Sequence, residues 1–283
     1  MARGDEIRPA RGGFSDVDAD PPQVTRLIAN MDAGDSHPAV VALRVRVAEA
    51  LLLEPGSQVL DVGAGTGTAA RQLVDRVAPG GRVVAMDSSA AMVAVAAERG
   101  AGVSGFEAKI GDATAIPEPD SSFDAYRSER TYQWLLNPET AIDEAWRVLR
   151  PGGRIAVIDS DWDTAVFDHP DLDLTRRLFG SRGPSLPPNG AVGRTLYRLT
   201  ADRGFESVTV DAQTLIVARW DPDSEEPIPG VTQPRLFALA HIGPEGLTES
   251  EAERWVTSLE SQARRGHFFF AVTLFAATAA KPS

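Results

Sequence analysis

The chain reads as an α/β protein built on a mostly parallel sheet, and three observations lead there. Short apolar runs of strand character alternate with helical stretches between residues 57 and 159. That succession means right-handed β-α-β crossovers. The first run flows straight into Gly63-Ala64-Gly65-Thr66-Gly67 and then into a helical pattern, a strand–turn–helix unit. Hydrophobic residues at 43% and charged residues at 24% of 283 supply a core of ordinary size, which suits one α/β domain carrying insertions.

Residues 1–22 are rich in Gly, Pro, Asp and Arg, and they are expected to form a flexible N-terminal segment or lid. From 22 to 53 the pattern is helical: Val40, Leu43, Val47 and Leu51 recur at three- and four-residue spacing before Pro55-Gly56. Residues 57–62 read as the first strand and 68–77 as its helix, then 82–86 and 90–99 as the second pair. Residues 103–110 give a third strand and 123–127 a fourth. A helix over 141–149 stops at Pro151-Gly152-Gly153, and 154–159 is the fifth strand. The stretch 160–190 is rich in proline and acid; 191–203 is helical, and 205–210 is a sixth strand. An acidic, proline-rich loop spans 221–231, two helical stretches cover 233–240 and 249–264, and 268–275 is a β-like apolar run. The division expected is a core over 23–160, a substrate-side insertion and helix over 161–203, and final strands over 204–283 with a helical insertion at about 221–265. Insertions at strand ends are where such a fold carries its specificity.

The composition excludes several functions. A formal net charge of −12 repels a phosphate backbone, so no nucleic-acid partner is expected. The absence of cysteine removes disulfides, thiolate metal sites and a cysteine nucleophile. The four histidines have no helical ligand spacing, and Asp161 and Asp163 lack a third ligand, so no metal is expected. No apolar run reaches the roughly 20 residues of a membrane helix, and the N-terminus has no apolar signal region. A cytoplasmic protein with no membrane association is expected.

The glycine segment carries the most information. Glycines there let the backbone turn sharply and leave its amides open to a ligand, while the following helix N-terminus offers partial positive charge. The spacing is not the G-x-G-x-x-G of a dinucleotide site, because Thr68 stands where the third glycine would be. Asp87 ends the second strand 20 residues after Gly67, the place of an acid that accepts both ribose hydroxyls. Asp112 follows the third strand, where a carboxylate can take an adenine amino hydrogen bond. Taken singly, either aspartate also fits a helix cap or turn; together with the glycines they describe one crevice at the carboxyl edge of the sheet.

This constellation resembles the class I S-adenosylmethionine-dependent methyltransferases. The matching segments are VLDVGAGTG at 59–67, VVAMD at 83–87, GDATAIP at 111–117, SSFD at 121–124 and EAWRVLRPGGRIAVID at 144–159. The last is typical of the branch containing the ubiquinone/menaquinone C-methyltransferases and many small-molecule methyltransferases. The resemblance implies a Rossmann-like sheet of seven strands with an antiparallel last strand, helices on both faces and a helical cap from the insertions. It also implies S-adenosylmethionine as cofactor. Gly63, Gly65 and Gly67 would hold its methionine end, Asp87 its ribose and Asp112 its adenine, with Ala64, Ser88, Met92 and Ala113 as wall contacts.

The reaction implied is in-line methyl transfer to an O, N or C nucleophile of a small organic molecule. Such a reaction draws on alignment and water exclusion more than on an obligatory base. The candidates for a base are Glu129 after the fourth strand, His169 in the first insertion and His241 in the second. Each has a plainer reading: an ion pair with Arg130, a loop or cap, and a packing residue. Phe268, Phe269, Phe270 and Phe275 either line an acceptor pocket or form the core of the last strand. A relative that binds the cofactor but catalyses a non-methylating cyclisation or pericyclic step fits the same residues. The sequence leaves a homodimer open. Only two lysines, Lys109 and Lys281, stand among 28 basic residues, a composition associated with GC-rich bacteria whose methyltransferases tailor secondary metabolites.

Overall fold

A computed structural model describes residues 18, 21–180, 187–224, 226–229, 231, 234–239, 241–244 and 246–283. Most of the expected flexible segment, 1–17 and 19–20, lies outside the described residues. The helical stretch over 22–53 is two helices, α1 (Pro21–Asp35) and α2 (Pro38–Ala50). The break comes at His37, whose ring nitrogen caps the Ala39 amide while Pro38 opens α2. The alternation then follows as β1 (Gln58–Val62), α3 (Thr68–Val77), β2 (Arg82–Asp87), α4 (Ala90–Arg99), β3 (Phe106–Ile110) and β4 (Phe123–Glu129). Next come a 3-10 turn at Tyr132–Trp134, α5 (Pro138–Val148) and β5 (Leu149–Phe167).

Beyond residue 159 the structure departs from expectation. β5 continues to Phe167 because β7 pairs along it as far as Phe270, so the insertion begins later than 161. The stretch expected to be irregular contains α6 (Leu172–Gly180), and the helix expected over 191–203 is a 3-10 turn, Val192–Thr195, running into α7 (Leu196–Arg203). β6 (Glu206–Val217) is twice its expected length, and α8 (Pro234–Leu239), α9 (Glu249–Arg264) and β7 (Phe270–Ala280) follow. Neither β6 nor the far half of β5 shows a clean apolar alternation; pairing with β7, whose positions are mostly buried, extends both.

The seven strands run in the order β3-β2-β1-β4-β5-β7-β6. The pairings among β3, β2, β1, β4 and β5 are parallel, and β7 is antiparallel to both β5 and β6. Six strands therefore point one way, and their carboxyl ends share one edge. The sheet's two faces carry two cores. One joins Val59, Val83, Ala125 and Ile158 to α2, α3 and the residues of α6, α8 and α9; the other joins Leu60, Val84, Tyr126 and Val157 to α5 and α7. No helix among the described residues is long and apolar enough to cross a membrane.

The cap of α6, α8 and α9 closes around Trp255, which is fully buried. Its ring meets Phe167 edge-on at 5.3 Å and stacks on His169 at 5.6 Å, while its indole N–H donates to Thr175 at 3.0 Å. A capping box at Thr248 and Glu251 starts α9, and Glu251 also pairs with Arg177 of α6. Trp255→Ala is expected to destabilise the protein by about 3–5 kcal/mol, measured as a shift in the urea unfolding midpoint at unchanged slope.

Candidate active site

The glycine loop sits where β1 leaves the sheet, and its conformation admits only glycine. Gly63, Gly65 and Gly67 have φ of +69°, +53° and +73°, in the left-handed region. A Cβ on Gly63 would stand 2.0 Å from Thr131 Oγ1, and one on Gly65 would stand 2.1 Å from the methyl end of Met31. The Ala64 amide donates to Met86 O and the Gly67 amide to Ala64 O, which pins the loop to β2 and curls it into α3.

Asp87 faces this loop. Its Oδ2 accepts from the Gly65 amide at 2.8 Å and its Oδ1 from the Ser89 amide at 2.9 Å. Burial pushes the Asp87 carboxyl above its ordinary value, and the Ser89 and Gly65 amides pull against that. Ser89 caps α4 through the Met92 amide, and Asp18 accepts from the Ser89 hydroxyl at 2.6 Å and the Ala90 amide at 2.9 Å. At the next strand end, Asp112 Oδ1 takes the amide and hydroxyl of Thr114 at 2.7 and 2.8 Å, an Asx turn. Ser88 and Asp112 are exposed, while Met92 and Ala113 are buried. The structure thus brings the glycines, Asp87 and Asp112 to consecutive strand ends of one edge. A cradle closed to side chains, the Asp87 carboxylate against it, the exposed Asp112 carboxylate and a capped helix N-terminus suit a small ligand with hydroxyl and amino groups.

α1 lies over this edge. Met31 rests against Gly65, Asp32 forms a two-pronged pair with Arg99 of α4 at 2.7 and 2.8 Å, and Asp35 reaches Arg44 and Arg130 at 2.6 and 2.5 Å. The last contact belongs to a buried network. Arg127 of β4 pairs with Asp61 of β1 at 2.8 Å and with Glu129. Glu129 also receives Arg44 of α2 at 2.7 Å and Arg130 at 3.1 Å. Burial alone would raise the Glu129 carboxyl, but Arg44, Arg127 and Arg130 outweigh it and hold it far below the usual carboxylate range. Arg44 Nη1 and Asp61 Oδ2 are buried without a partner among the described residues. Arg130 adopts φ of +55°, and its amide bonds Ile158 O.

Of the candidate bases, only Glu129 lies at this edge, and there it is a saturated ion-pair acceptor with little affinity for a proton. His169 and His241 are not brought to it. His169 accepts the Asp171 amide on Nδ1 at 3.0 Å and donates from Nε2 to Trp255 O at 3.2 Å, so both ring nitrogens serve the cap. His241 donates from Nδ1 to Phe237 O at 2.6 Å; its Nε2 is buried without a partner among the described residues, and burial pulls its pKa down. Phe268 and Phe270 are buried at the sheet–cap junction, and Asp161 and Asp163 share Arg194. Sequence reasoning missed Asp61, Arg44 and Arg127. The available signal was the alternation of Ala125, Arg127 and Glu129 on one strand face, which places a charge in a buried row.

Asp159, at the end of the parallel part of β5, is fully buried. It accepts the Ser160 amide at 2.9 Å and the Gln133 amide at 3.1 Å, anchoring the 3-10 turn. Burial pushes it up to about 7, against those backbone donors. The folded chain therefore keeps this proton between the ordinary value of 3.8 and about 7 while the unfolded chain releases it, and stability falls as pH rises through that window and then levels off. Urea midpoints are expected to drop between about pH 4.5 and about pH 7.5, and to drop less in Asp159→Asn. In the charge network, Glu129→Gln is expected to cost about 3–5 kcal/mol by leaving three arginines to share two carboxylates, Asp61 and Asp35, in the interior, read from the same unfolding curves at pH 7.

Known proteins resemble this chain in sequence and fold. Residues 60–157 match the family described as "Methyltransferase domain". An uncharacterised protein of transposon TN4556 from Streptomyces fradiae is 34% identical over 252 residues, covering 89% of this chain and 69% of that protein. The demethylmenaquinone methyltransferase of Clavibacter sepedonicus is 37% identical over 134 residues, 47% of this chain and 51% of the relative, so the chain spans about half the length of that enzyme. Among solved structures, a Haemonchus contortus phosphoethanolamine N-methyltransferase in complex with S-adenosyl-L-methionine aligns at a TM-score of 0.57 with 18% identity, over 96% of this chain and 61% of that one. The [4+2]-cyclase SpnF aligns at 0.50 with 25% identity, over 85% of this chain and 81% of its own. With a methyltransferase domain from β1 to β5 and a relative matched over most of its length, the chain belongs to the S-adenosylmethionine-dependent methyltransferases, of the kind that includes the menaquinone and ubiquinone C-methyltransferases.

Proposed function

We propose that this chain moves a methyl group from S-adenosylmethionine to an O, N or C nucleophile of a small organic acceptor, a bacterial secondary metabolite, in the cytoplasm. The observation that carries the reading is the bond from the Gly65 amide to Asp87 across the mouth of the glycine cradle. It sets a carboxylate beside the backbone amides of the glycine loop. Gly63, Gly65 and Gly67 would hold the methionine end, Asp87 the ribose and Asp112 the adenine, with Ala64, Ser88, Met92 and Ala113 as wall contacts. When bound, the cofactor supplies a methyl group on a positively charged sulfur, already activated toward a nucleophile.

The chain's own work is then alignment and exclusion of water. α1, held by Asp32 and Asp35 and resting through Met31 on Gly65, covers the cradle. Glu129 fixes arginines instead of taking a proton, and His169 and His241 build the cap. A reaction with an activated donor tolerates this, since positioning and desolvation carry much of the acceleration. The two-lysine composition and the Streptomyces relative support a secondary-metabolite acceptor. The likeness to SpnF supports a second reading, in which the cofactor is bound and the acceptor cyclises without methylation.

Asp87→Ala is expected to weaken S-adenosylmethionine binding by about 2 kcal/mol through loss of charge-assisted hydrogen bonds, roughly thirtyfold by calorimetry; unchanged affinity refutes the ribose assignment. Incubation with cofactor carrying a heavy-isotope methyl and a bacterial metabolite extract is expected to yield a labelled product by mass spectrometry. Consumption of an extract component without label, by protein that binds the cofactor, selects the cyclisation reading instead.

A further inference from the structure

A groove of about 460 Å³ opens where β6 ends, lined by Ala218, Arg219, Trp220, Asp221, Ala263 and Phe268 together with Gly266. β6 is parallel to β5, so this groove lies on the same sheet edge as the glycine loop. It is three strands along from β4 in the order β4-β5-β7-β6, roughly 14 Å sideways at ordinary strand spacing, and the end of β4 at Glu129 is level with Asp211, so Val217 carries it about 20 Å further along the strand. An occupant there does not overlap the cofactor crevice.

Its chemistry is specific. Phe268 is 3% exposed and meets the half-buried Trp220 ring at 5.4 Å with a 56° tilt, giving an aromatic floor flanked by Ala218 and Ala263. The Trp220 indole N–H is buried beside this floor and has no hydrogen-bond partner among the described residues. Arg219, on the exposed rim, makes no ion pair or hydrogen bond among the described residues. Asp221 lines the same groove but makes no ion pair with Arg219 among the described residues; its Oδ1 and carbonyl oxygen accept the Asp223 and Ser224 amides of the following turn. Flat apolar surface, one idle N–H donor and one uncommitted guanidinium together fit a planar organic anion. Arg binds a carboxylate through two N–H groups while the ring system lies against the half-buried Trp220.

We propose that this groove is a second ligand site, distinct from the cofactor crevice, for an aromatic molecule bearing a carboxylate. The probe is 2-naphthoate, titrated into ¹⁵N-labelled protein, with the Trp220 indole resonance identified by its loss in Trp220→Phe. Naphthoate is expected to shift that resonance in a saturable manner. Arg219→Gln is expected to weaken binding at least fivefold, and uncharged 2-naphthol to bind at least fivefold more weakly than naphthoate. Arg219 is exposed, so Arg219→Gln is expected to unfold at the wild-type midpoint. A Trp220 resonance that does not move at saturating naphthoate overturns the proposal, as does equal affinity in Arg219→Gln or for naphthol. S-adenosylmethionine titrated into the same samples reads the other crevice independently, so failure here leaves the methyl-transfer reading standing.

Discussion

At the carboxyl ends of β1 and β4, arginines from a strand, a helix and a loop meet carboxylates from two strands and a helix in a space from which water is almost excluded. Asp61, Arg127, Glu129, Arg44, Asp35 and Arg130 alternate in sign. Taking so many charges out of water is expensive unless each finds an opposite charge, so no member can shift without stranding another. The chain path at the site follows from this. β1 and β4 are cross-linked on one face, α2 is held to that face by Arg44, and α1 is fastened by Asp35 over the strand ends. Arg130 takes a left-handed backbone conformation as its side chain returns to Asp35, and the next residue, Thr131, sits beneath Gly63. The positions of the glycine cradle and of the helix above it thus both depend on one set of buried ion pairs.

The network also reassigns Glu129. A carboxylate at the end of β4 faces the region where a methyl group would be presented, and from its place in the chain it reads as a base. Held by Arg44, Arg127 and Arg130, it instead spends its charge on geometry. His169 and His241 follow the same pattern in the cap, where ring nitrogens satisfy backbone carbonyls around Trp255 and Phe237. The titratable side chains that look catalytic along the chain are therefore structural in space. What faces the crevice is mostly backbone amide, glycine and the Asp87 carboxylate, a set suited to holding a reactive molecule in place.

The sequence by itself determined the alternating half of the molecule. From β1 to β5 the strands carry their own apolar residues, the β1–α3 turn its glycines, and α3 and α4 match their expected bounds residue for residue. The strand-end placement of Gly63, Gly65, Gly67, Asp87 and Asp112 was legible for the same reason: its signal is local, a strand end followed by a turn within a few residues. Only the tertiary structure decided the length of β5 and β6, the presence of α6, the role of Glu129 and the place of α1. Those outcomes rest on partners distant in the chain. β7 supplies the hydrogen bonds that carry β5 to Phe167 and β6 to Val217; Arg44 stands 85 residues from Glu129; and Asp32 stands 67 from Arg99. Backbone pairing and buried charge are satisfied by whatever the fold brings near, and neither leaves a periodic trace in the segment that receives it.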